Sequence, residues 1–94
     1  MPKTGTHATW FRFVAANTKR LRLKQDLTQE VLAEKAGLDV RYIQEIERAN
    51  TNVTLAVLVD VATALGIHPR VLLNQAELQP AKPGRPRKRR KSPK

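Results

Sequence analysis

The sequence predicts an all-α fold, a compact domain of five helices followed by a disordered basic tail, and three observations carry that prediction. Apolar residues recur at spacings of three and four along most of the chain, the period of a helix with one buried face. Residues that open and close helices (Thr, Asp, Pro and Gly) punctuate the pattern at its breaks. Charge is also unevenly placed. Of a formal net charge of +10 over 94 residues, residues 80–94 hold eight Lys/Arg and no acid, which leaves ten cations against eight acids, or +2, for residues 1–79. A chain of this length makes one small domain.

Residues 1–8, MPKTGTHA, mix Pro, Gly and Thr without periodicity and read as a flexible arm, with the folded domain over 9–79. Thr9 is placed to cap a first helix from Trp10 to about Lys24. Its Phe13, Val14, Asn17, Thr18 and Leu21 form an inward face, while Lys19, Arg20 and Lys24 lie toward solvent. Gln25, Asp26 and Leu27 connect it to a second helix, Gln29 to Ala36, which Thr28 caps. Gly37 tolerates the positive φ that closes that helix, and Asp39 is a preferred cap for the third, whose Ile43 and Ile46 point inward. A polar loop, Arg48 to Asn52, leads to Thr54, which caps the fourth helix, LAVLVDVATAL; Gly66 ends it. Pro69 introduces a fifth helix, RVLLNQAEL, with Leu72 and Leu73 closing the core. Residues 80–94 contain four prolines and no apolar period, so they are expected to be disordered.

Several function classes are set aside at this point. The absence of cysteine removes disulfides and thiolate-rich zinc sites. No apolar run approaches the roughly 18 residues of a membrane span, so no membrane insertion is expected and the protein reads as cytoplasmic and nucleoid-associated. His7 and His68 lack a spaced acid, Ser or Cys partner, and no phosphate-loop glycine pattern exists. Neither an enzyme nor a metal or cofactor is indicated.

Two helices joined across Gly37 by so few residues must turn sharply and pack together, the geometry of a helix-turn-helix. Ala33 is small enough to let them approach. Leu32, Ala36, Ile43 and Ile46 supply the seam, leaving Val40, Arg41, Gln44, Glu45 and Arg48 on the outer face of the third helix. The stretches RLRLKQDLTQEVLAEKAG, YIQEIERA and TLAVLVDVATALGI, at their separations, resemble the lambda-repressor-like, Xre/Cro-type helix-turn-helix family, over about two thirds of the chain from Phe13 to Leu73.

The resemblance implies a sequence-specific regulator of transcription that binds double-stranded DNA with its third helix in the major groove. It also implies a homodimer on a two-fold related operator, with Ile67, Val71, Leu72 and Leu78 as candidates for the contact. The base-reading positions fall on Asp39, Val40, Arg41, Gln44 and Glu45. Arg41 suits guanine O6 and N7, Gln44 adenine, Val40 a thymine methyl, and Glu45 either cytosine N4 or the orientation of Arg41. Asp39 stands where the family often has Ser or Thr, and its role is taken as structural. Phosphate contacts fall on Thr28, Gln29 and Tyr42. Arg22 and Glu47 match a pair that ties the first helix to the third, and Ala33 and Gly37 complete the structural set.

In the tail, Gly84, Arg85 and Pro86 are similar to the core of an AT-hook, which lays arginine along a narrow minor groove. Pro83 replaces a basic residue of the usual hook. A plain phosphate-binding tail using Arg85, Arg87, Lys88, Arg89, Arg90 and Lys91 is the alternative, with membrane-surface attraction or nuclear localisation as lesser ones. The main competing function is an antitoxin-type or adaptor module whose helix-turn-helix serves autoregulation and whose protein partner is unknown. Restriction-modification controllers and phage-type repressors are not separated by these motifs.

Overall fold

Thr6 opens the first helix three residues earlier than the sequence pattern places it. The structure, a computed structural model, describes residues 6–77. Helix α1 spans His7–Lys24, with Thr9 inside it and buried, its hydroxyl 2.9 Å from that of Thr6. The residue expected to cap the helix is thus a wall of it, and His7 and Ala8 belong to α1 instead of an arm.

Four further helices follow: α2 Gln29–Ala36, α3 Val40–Glu47, α4 Leu55–Leu65 and α5 Pro69–Leu72. All regular structure among the described residues is helical. Side-chain caps open all four, His68 Nδ1 accepting from the Arg70 N–H at 3.0 Å at the start of α5. Thr28 Oγ1 accepts from the Val31 N–H at 3.0 Å, Asp39 Oδ1 from Arg41 at 2.8 Å and Thr54 Oγ1 from Val57 at 3.1 Å. Each satisfies one of the N–H groups that a helix start leaves unpaired.

The first four helices all end in one geometry. After α2, Leu38 N–H reaches Ala33 O (2.9 Å) and Gly37 N–H reaches Glu34 O (3.2 Å), with Gly37 at φ +72. These paired bonds around a left-handed residue are a Schellman closure. Gly66 repeats it after α4 at φ +73, and nothing lies within 4 Å of a methyl built on either glycine, so they are required for conformation and not for space. After α1 and α3 the left-handed residues are Asp26 (φ 59) and Ala49 (φ 58), which carry a side chain.

Val14 and Leu21 of α1, Leu32 and Ala33 of α2, Ile43 and Ile46 of α3, and Leu58, Val61, Ala62 and Leu65 of α4 form the core, closed by Leu72 of α5. The short α5 differs from the helix expected over 70–78. Asn17 Nδ2, fully buried on α1, donates to Leu72 O (3.1 Å) and Asn74 O (2.8 Å). A continued helix would need the Leu72 carbonyl for an intrahelical bond; Asn17 takes it and turns the chain along α1. Leu73 is consequently exposed at 38%, not a core residue.

Candidate nucleic-acid interface

The junction of α1, α2 and α3 is held by ion pairing inside the fold. Arg22 Nε and Nη2 donate to Glu47 Oε2 (2.7 Å) and Oε1 (3.0 Å), and Nη1 donates to Leu27 O (2.8 Å). Gln29 Nε2 adds a bond to Glu47 Oε1 at 3.1 Å. The two charged side chains are 9% and 4% exposed. The bidentate arginine thereby fixes α1 against the last turn of α3, with the charge of each partner answered, and Gln29 ties the first turn of α2 to the same carboxylate.

Against this network lies a polar recess of about 320 Å³, lined by Lys19, Arg22, Gln29, Gln44, Glu47 and Arg48. Three cations face one acid there. Glu47 is already committed to Arg22, so a further anion in the recess meets Lys19, which has no ion pair among the described residues, and Arg48, whose contact with Glu45 at 3.4 Å is long and exposed. The geometry suits a phosphate better than a cation. Lys19 was expected only to face solvent; its position one turn before Arg22 on α1 was the available signal that both belong to one site.

On the outer face of α3, Arg41 is exposed, and among the described residues its guanidinium has no hydrogen-bonded partner. Asp39 is spent on its cap. Val40 is half-buried and packs against the core, so only part of its side chain remains on the outer face. Gln44, also half-buried, sits on the wall of the recess. Glu45 does not orient Arg41. Its Oε1 accepts from Asn50 Nδ2 at 2.8 Å and its Oε2 lies 3.4 Å from Arg48 Nη1. The Tyr42 ring packs on the core while its hydroxyl donates to Asn52 O at 3.3 Å, which uses its single proton. Leu72, named as a contact for a second copy, is fully buried and unavailable; Ile67 and Val71 are partly buried against the core. Leu78, Arg85, Arg87, Lys88, Arg89, Arg90 and Lys91 lie outside the described residues. Among those described, no group of His, Asp and Glu is arranged to hold a metal, and no helix is long and apolar enough to cross a membrane.

The sequence profile of the helix-turn-helix family HTH_3 matches residues 19–72, from the recess lysine to the end of α5. The chain belongs to the HTH_3 helix-turn-helix family. Control protein C.SmaI of Serratia marcescens is 41% identical over 63 residues, covering 66% of this chain and 75% of that protein. The immunity repressor protein of Bacillus phage phi105 is 40% identical over 65 residues, covering 69% and 45%. The crystal structure of the restriction-modification controller protein C.AhdI from Aeromonas hydrophila superposes with a TM-score of 0.64 at 39% identity, covering 66% of this chain and 94% of that one. This HTH_3 protein is a DNA-binding transcriptional regulator.

Proposed function

We propose that this regulator recognises a specific duplex sequence by placing the start of α3 in the major groove while a backbone phosphate seats in the recess beside it. The observation that carries the reading is the unpartnered Arg41 guanidinium on a helix anchored by the buried Arg22–Glu47 pair, next to a recess with a cationic rim. A guanidinium held so reaches guanine O6 and N7 together. Lys19, Gln29 and Arg48 supply the phosphate contacts, with Thr28 positioning the α2 N-terminus. Tyr42, whose proton is used on Asn52, contributes packing and not a donor to phosphate. The protein acts as a homodimer on half-sites about 10 base pairs apart centre to centre. Residues 80–94 add phosphate contacts of low sequence selectivity.

Selection of bound fragments from random duplex DNA tests the reading, followed by Arg41→Ala on the selected duplex. The expected loss is about 1–3 kcal/mol at the selected site with little change on scrambled DNA. Equal loss on both would make Arg41 a phosphate contact. Deleting residues 80–94 is expected to lower affinity for every duplex and to flatten the salt slope by roughly 0.9 logarithmic units per lost phosphate contact. An unchanged slope would assign the tail to another partner. An Arg85→Ala loss confined to A·T-rich flanks would assign Gly84, Arg85 and Pro86 to the minor groove as a hook.

A further inference from the structure

Resting on the reading of α3 as the base-reading helix, we propose that Asn50 is a specificity-determining positioning residue, which holds the Glu45 carboxylate off Arg41 and keeps that guanidinium available for bases. Arg41 and Glu45 are four residues apart on one helix, the separation at which opposite charges meet. The structure nevertheless leaves them unpaired. Both Glu45 oxygens are engaged toward the other end of the helix, Oε1 by Asn50 Nδ2 at 2.8 Å and Oε2 by Arg48 Nη1 at 3.4 Å.

What delivers Asn50 to this position is the closure of α3. Ala49 adopts φ 58, and the Asn50 N–H returns to Glu45 O at 2.9 Å, so residue 50 is bonded to residue 45 through both backbone and side chain. A short amide at that point reaches the Glu45 carboxylate with little loss of rotamer freedom. The Arg48 bond is longer, and its side chain is 67% exposed. Asn50 is thus the firmer of the two holds. Without it, Glu45 is shared between Arg48 and Arg41, and an Arg41 captured by its own helix must release an ion pair before it reaches a base.

Four proteins test this: the native chain, Asn50→Ala, Glu45→Gln and the double variant, each titrated with the selected duplex and with a scrambled duplex of equal length. The readout is the ratio of the two affinities. Asn50→Ala is expected to lower the ratio by about 1.5- to two-fold, the scale of one exposed i,i+4 ion pair. In the Glu45→Gln background, where no carboxylate competes for Arg41, the same substitution is expected to leave the ratio unchanged. An unaltered ratio for Asn50→Ala overturns the proposal. So does an equal loss in both backgrounds, which would make Asn50 a direct DNA contact. Failure of the native chain to prefer any duplex overturns the base-reading role of α3 and this inference with it, and is distinguished by appearing before any substitution is made.

Discussion

Glu45 and Glu47 lie two residues apart on α3, and each is bonded to one arginine and one side-chain amide. Their surroundings separate them. Glu47 meets Arg22 at 2.7 Å and Gln29 at 3.1 Å across 25 and 18 residues of sequence, with its side chain 4% exposed. Glu45 meets Arg48 at 3.4 Å and Asn50 at 2.8 Å across three and five residues, with its side chain 36% exposed. The first set joins three elements in low dielectric; the second is local and in water. The same chemistry therefore serves as scaffold in one place and as an adjustable surface in the other, because burial decides how much a lost partner costs.

The largest expected effect follows from the buried set. Glu47→Ala leaves the Arg22 guanidinium unpaired inside the fold and is expected to cost about 3–5 kcal/mol of stability. That is a large share of the whole for a domain of this size. Arg22→Met combined with Glu47→Leu is expected to lose less than either single removal, since no charge is then stranded. Denaturant midpoints of Glu47→Ala, Arg22→Met and the double variant check this. If Glu47→Ala costs no more than a surface change, the contrast between the two glutamates fails.

How far this was legible in the sequence depends on where the signal was local. Thr28, Asp39 and Thr54 cap from within three residues, and Gly37 and Gly66 announce a left-handed backbone, so α2, α3 and α4 were readable to the residue. Ala49 takes the same conformation with nothing in its side chain to announce it, and Asp26 with only the weak left-handed preference of Asp. The length of α5 was hidden for a different reason. It is set by Asn17, 55 residues away from the carbonyl it removes from the helix. In the candidate site, the outer face of α3 followed from periodicity, but periodicity gives no bonds. That Glu45 turns toward Asn50, that Tyr42 spends its proton on Asn52 and that Lys19 joins the recess all depend on how loops and helices meet.

A middle-sized effect sharpens the description of the exposed set. Ala49 pays for its φ of 58 with steric strain. For a residue with a side chain the left-handed region costs roughly 1–2 kcal/mol, while glycine loses about 0.5–1 kcal/mol in backbone entropy. Ala49→Gly is therefore expected to stabilise the protein by up to about 1 kcal/mol. A lower denaturant midpoint would show that the Ala49 methyl contributes packing that outweighs its strain.

The smallest expected effect is the most direct test of the comparison. A double-mutant cycle on Glu45 and Arg48, using Gln and Met replacements, is expected to give a stability coupling of about 0.5 kcal/mol or less. The pair is exposed and its partners adopt many rotamers, so Coulomb attraction is offset by side-chain entropy and screened by salt. Raising the ionic strength to about 1 M should remove the coupling, since the screening length then falls to about 3 Å. The corresponding cycle on Arg22 and Glu47 should keep most of its coupling under the same salt, because ions do not enter between side chains held at 2.7 Å inside the fold. Two couplings of similar size, or an exposed pair that resists salt, would show that burial is not what separates Glu45 from Glu47.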